Sequence, residues 1–125
     1  MDFALSEEQQ AIFDMAHDFG QARIAPNARQ WEQDGTIPRE LWPEIAELGL
    51  AGLYVPEEHG GTGLTRLDAT LVFEALSAAC PSVAAFLSIH NMCAKMLSAF
   101  GSDETREKYL AKALSMETVF SYALT

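Results

Sequence analysis

Along most of the chain apolar residues return every third or fourth position, and only residues 118–125 give up that period for alternation. Ser6 followed by Gln9 forms a capping box, after which Ile12, Phe13, Ala16, Phe19, Ala22 and Ile24 predict a long amphipathic helix. Pro26 lacks an amide donor and disfavours helix at Ala25, so a kink or break is expected there, with Ala28 and Trp31 carrying the helical face on to about Asp34. Gly35 ends it. Pro38 suits a first helical position, and Leu41, Trp42, Ile45 and Leu48 make the stripe of a short helix that Gly49 stops. The apolar run Leu50 to Val55 is interrupted by Gly52, which argues against a strand.

Farther along, Leu71, Val72, Ala75, Leu76 and Ala79 predict an apolar helix over 67–79, ended by Cys80-Pro81. Ser82 is the expected cap of the next helix, which runs to Phe100 with Lys95 as its only charge and should be the central buried helix. Ser102 or Asp103 caps a last helix that turns Tyr109, Leu110 and Ala113 inward. Residues 118–125 read as a strand, β-branched and aromatic, with no partner strand in the chain. A lone strand is not stable. The expected architecture is therefore all-α: an antiparallel helical bundle over 1–117, with 118–125 as the first strand of a truncated middle β-domain.

Composition narrows the function classes. A chain of 125 residues, 49% hydrophobic, suits one domain with a core. Its 18 acidic against 8 basic residues give a net charge of -10, which disfavours nucleic acid and anionic membrane surfaces as partners. Cys80 and Cys93 lie in apolar helical surroundings without metal or CxxC spacing, which points to buried free thiols in a reducing compartment. Acid stands near the N-terminus where a targeting peptide carries Lys or Arg, and no apolar run is expected to reach membrane-spanning length, so a cytoplasmic protein is expected.

The densest cluster of candidate chemistry is the run from Val55 to Leu64, with Gly60, Gly61 and Gly63. Closely spaced glycines let amides approach a phosphate, but a Walker loop closes on Lys and Ser/Thr, and here Gly63 is followed by Leu64. A dinucleotide fingerprint needs a βαβ unit that this chain lacks. A connector between helices is the better reading. Asp14 and His17 share a helix face as metal ligands would, yet the second pair of a di-metal bundle is missing, and no metal site is expected. His59 beside Glu57 and Glu58 reads as a solvated loop residue. His90 and Asn91, on the most apolar helix, either bond to backbone across the bundle or face a pocket.

The order of segments resembles the N-terminal part of the acyl-CoA dehydrogenases over essentially the whole chain. The residues that carry it are Leu5-Ser6-Glu7-Glu8-Gln9, Ile24-Ala25-Pro26-Asn27-Ala28, Leu48-Gly49-Leu50, Val55-Pro56-Glu57-Glu58-His59-Gly60-Gly61-Thr62-Gly63, Phe73-Glu74-Ala75-Leu76, Phe100-Gly101-Ser102 and Tyr122-Ala123-Leu124-Thr125. Each piece is weak alone; together and in order they are specific. Ser88-Ile89-His90-Asn91-Met92-Cys93 is most similar to the short, branched-chain members of isobutyryl-CoA dehydrogenase type.

That resemblance implies an N-terminal helical domain followed by a β-domain and a second helical bundle, assembled as a homo-oligomer, usually a tetramer. It implies noncovalent FAD, oxidation of an acyl-CoA substrate between its α and β carbons by a carboxylate base and hydride transfer, and electron-transfer flavoprotein as partner. It places cofactor contacts at Tyr122, Leu124 and Thr125, and lining of the acyl pocket at Ala85, Ser88 and Met92. It assigns no catalytic residue to this chain, Glu74 included, so the isolated chain is expected to be inactive. Two alternatives stand beside it: a free-standing helical interaction module, and a related flavin-dependent oxidase.

Overall fold

The structure, a computed structural model, describes residues 3–125. Its helices are α1 (Glu7–Phe19), α2 (Ala25–Asp34), α3 (Leu41–Glu47), α4 (Arg66–Ala79), α5 (Pro81–Phe100) and α6 (Asp103–Leu114). The all-α class holds. Residues 118–125 form no strand, because a strand is held by a ladder to a neighbour and no second strand exists among the described residues.

Two compact units emerge, residues 1–37 with 66–85, and residues 38–65 with 86–125. In the first, the predicted capping box closes α1: Ser6 Oγ accepts from Gln9 N at 3.1 Å and Gln9 Oε1 accepts from Ser6 N at 3.1 Å. Gln9 also donates through Nε2 to Asp68 Oδ1 at 2.9 Å, joining the starts of α1 and α4. At the other end, a Cβ on Gly20 would lie 3.2 Å from Ala79 Cβ, so glycine permits this close approach. Like ends meet like ends, so α1 and α4 run parallel rather than antiparallel. Sequence neighbours joined by short loops run antiparallel, but the chain between Asp34 and Arg66 is long enough to bring α4 back in the same direction. Ala16, Ile24, Ala69, Val72, Ala75 and Leu76 form the buried seam.

Pro26 does not break the first helix. Instead Gly20–Ile24 forms a π-turn, with Ala25 N–H bonded to Gly20 O, five residues back. The inserted residue resets the register, and Pro26 falls in the first turn of α2, where a missing amide is harmless. Gly35 then ends α2 in the left-handed conformation, φ 67°.

In the second unit, Pro38 does not start α3; its carbonyl accepts from Leu41 N at 3.2 Å in the turn before the helix. Leu41, Trp42 and Ile45 bury the inner face of α3, and the Trp42 ring stacks on Phe86, centroids 4.3 Å apart. Leu50–Gly52 forms a single 3-10 turn rather than a strand. A cluster of Val55, Ala94, Leu110 and Ala113, with Leu97, Leu114 and Phe120 packed against it, makes the core beneath α6.

Candidate functional site

The glycine run, read from the sequence as a connector rather than a phosphate loop, ties up its amides in its own hydrogen bonds. Gly60 N donates to Glu57 O at 2.8 Å, Gly61 N to Pro56 O at 3.1 Å, Thr62 N to Gly52 O at 2.9 Å and Gly63 N to Val55 O at 2.9 Å. An anion cradle needs those amides free, and here consecutive amides are spent on protein carbonyls. The glycines serve backbone shape: Gly60 and Gly63 have φ of 86° and 68°, and a Cβ on Gly61 would overlap the Val55 carbonyl. Beside the loop, His59 is not merely solvated, since its Nδ1 lies 2.9 Å from Ser98 Oγ.

The candidate site is built on α5 and the chain end. Pro81 itself is the first residue of α5, so Ser82 lies inside the helix rather than capping it. By length and composition α5 is long and apolar enough to cross a membrane, against expectation, because Lys95 is its only charge and 20 residues run without a break. A core helix passes the same test, and Val83, Leu87 and Ala94 are buried within the protein. The outer face carries Ile89, Met96 and Phe100, the last 85% exposed. Ser88 and Met92, one turn apart, are half-buried, and Ala85, one turn earlier on the same helix, is exposed. Cys80 is buried and Cys93 half-buried; both are free, and burial pushes the Cys93 thiol up.

His90 and Asn91 resolve in favour of backbone partners. Asn91 Oδ1 accepts from Leu53 N at 2.7 Å, while Nδ2 donates to Leu50 O at 2.8 Å and Leu87 O at 3.0 Å. The amide thus pins the 3-10 turn to α5. His90 is fully buried; its Nε2 lies 3.0 Å from Ala113 O, and its Nδ1 accepts from Phe120 N at 3.1 Å. A carbonyl only accepts, so Nε2 carries the proton, and the neutral ring presents Nδ1 as acceptor. Burial holds the imidazole below its ordinary value, against a smaller upward pull from the Ala113 carbonyl.

The turn after α6 brings the chain end to this ring. Met116 adopts a left-handed backbone, φ 55°, with its side chain buried, and donates its amide to Ala113 O at 3.0 Å. A non-glycine residue there is strained by about 1 kcal/mol, offset by burial of the thioether. Phe120 then lies 5.9 Å from the His90 ring. Beyond it the chain is exposed: Tyr122 by 45% and Leu124 by 77%, with Thr125 exposed as well. The sequence marks both His90 and residues 122–125, but not the hydrogen bond from Phe120 N to His90 that joins their neighbourhoods.

Residues 6–117 match the family described as "Acyl-CoA dehydrogenase, N-terminal domain". The chain belongs to the acyl-CoA dehydrogenase family. It is 46% identical over 121 residues to isobutyryl-CoA dehydrogenase, mitochondrial, of Dictyostelium discoideum, and 40% identical over 121 residues to the Bos taurus enzyme of that name. Each alignment covers 97% of this chain and 29% of the relative. Among solved structures it is similar to the FAD complex of PigA, with a TM-score of 0.86 and 30% identity over 95% of this chain and 32% of that one. The chain thus spans about three tenths of the length of the curated relatives it matches.

Proposed function

We propose that this chain works as the N-terminal part of an FAD-dependent acyl-CoA dehydrogenase acting on short or branched acyl-CoA thioesters. The observation that carries the reading is the 46% and 40% identity to two isobutyryl-CoA dehydrogenases over 97% of the chain. The end of the family match at residue 117 supports a domain boundary between 117 and 118.

The chemistry of the exposed end suits a flavin: Tyr122 and Leu124 offer apolar surface, and Tyr122 and Thr125 offer hydroxyls that donate and accept. FAD, when bound, supplies the two-electron acceptor for removal of hydrogen from the acyl chain. In this role Tyr122, Leu124 and Thr125 hold the cofactor, and Ala85, Ser88 and Met92 bound the acyl group. No residue of this chain is assigned as the base. Electron-transfer flavoprotein is the proposed acceptor and a homo-oligomer the proposed assembly, for which the exposed Phe100 provides apolar surface. A net charge of -10 supports work in an aqueous compartment, proposed as the cytoplasm.

Purification of the product of the complete reading frame, followed by a flavin assay and dye-coupled oxidation of isobutyryl-CoA, tests the reading. Bound FAD and turnover are expected. A reading frame that stops at Thr125, with a product that takes up no flavin, favours the interaction module.

A further inference from the structure

We infer that His90 is a positioning residue for the chain end: its ring joins the Ala113 carbonyl to the Phe120 amide and so sets where Tyr122, Leu124 and Thr125 begin. Its functional consequence rests on the reading of those three residues as cofactor contacts; the clamp itself does not.

The two partners of the ring are complementary. Ala113 offers only an acceptor and Phe120 only a donor, so one tautomer, with the proton on Nε2, satisfies both. Burial of the ring removes competing water from its bond to Ala113 O, and the bond from Phe120 N is partly buried. The imidazole is rigid, so the separation of its nitrogens fixes the distance between the end of α6 and the returning chain. Phe120 is held twice, by its amide on His90 and by its ring against the cluster of Val55, Ala94, Leu110 and Ala113.

Anchoring stops just where the candidate contacts start. In an extended run, which residues 118–125 favour, positions 120, 122 and 124 share one face. A slip of one residue at Phe120 turns Tyr122 and Leu124 to the opposite face. The Phe120 bond therefore selects which side chains the end presents. A leucine of similar volume at position 90 would fill the core and select nothing.

Two near-isosteric variants of the full chain separate clamp from filler. His90→Gln places an amide donor near Nε2 and lacks the acceptor at Nδ1; His90→Asn places an acceptor near Nδ1 and lacks the far donor. Hydrogen exchange at the Phe120 amide should be at least about five-fold faster in H90Q than in H90N, the effect of one ordinary hydrogen bond. Equal acceleration in both overturns the clamp. Ring-nitrogen NMR of the unmutated chain needs no variant to fold: an unprotonated Nδ1 and a protonated Nε2 at neutral pH are expected, and the reverse tautomer overturns the inference. In the flavin-loaded product of the complete reading frame, H90Q should weaken FAD binding more than H90N. A clamp seen by exchange with no such difference overturns the positioning role while leaving the clamp intact, and absence of flavin from the unmutated protein tells against the enzyme reading instead.

Discussion

Leu53 donates its backbone N–H to Oδ1 of Asn91 across 2.7 Å in the buried interior of the second unit. The same amide group returns two bonds through Nδ2, to Leu50 O and Leu87 O, so one side chain satisfies both ends of a 3-10 turn that has no ladder of its own. Asn91→Leu keeps the volume and strands the Leu53 amide and the Leu50 carbonyl away from water. A loss of about 3 kcal/mol is expected in chemical denaturation, from two buried unsatisfied groups. Stability within 1 kcal/mol or so of the parent would mean that the turn is held by packing alone.

His90 makes stability depend on pH. Its folded value is lowered from 6.5 by burial, so between the unfolded and folded values the unfolded chain binds more protons. The contribution is fully present above pH 6.5 and is lost as pH falls through the lowered folded value. Unfolding free energies from urea denaturation between about pH 7.5 and 5.5 should fall faster for the parent than for His90→Gln, with a slope difference of at most about 1.4 kcal/mol per pH unit. Parallel curves would mean that His90 protonates in the fold without penalty.

Gly61 in the loop and Gly52 in the 3-10 turn before it differ sharply in what they tolerate. At Gly61 an added Cβ meets the backbone carbonyl of Val55, which is fixed by its bond from Gly63 N, whereas at Gly52 it meets the tip of Leu114, which swings aside. Gly61→Ala should cost about 3 kcal/mol and Gly52→Ala about 1 kcal/mol by thermal denaturation. The opposite order would contradict the account of the loop as a self-bonded connector.

Gln9 reverses a common helix-start preference. Glutamate at this position of a capping box is normally as good as glutamine, but Gln9 also donates through Nε2 to Asp68. Gln9→Glu removes that donor and sets two carboxylates together, so a loss of about 1 kcal/mol is expected near neutral pH. A gain in melting temperature would show that the α1–α4 link carries no weight.

Local rules account for what was legible in the sequence. The capping box at Ser6, the left-handed stop at Gly35 and the helical period of α4 to α6 depend on residues a few positions apart, and all are present in the fold. The backbone partners of His90 and Asn91 were one of two options that burial of polar groups allows. The π-turn at Gly20–Ile24 was hidden because it answers two demands at once, the missing amide of Pro26 and the close approach of Ala79. The parallel pairing of α1 with α4 and the reach of the chain end back to His90 are long-range relations, which periodicity does not encode. Alternation at 118–125 favours a strand, but a strand is a property of two segments and no second one is present among the described residues.

The most direct test of the central claim is reduction of bound flavin, followed by absorbance, when the product of the complete reading frame is mixed anaerobically with isobutyryl-CoA, straight-chain butyryl-CoA or palmitoyl-CoA. Rapid bleaching with the short branched thioester, slower with the straight one and slowest with the long one, is the predicted order. Flavin that no acyl-CoA reduces, or that only the long thioester reduces, would contradict the account.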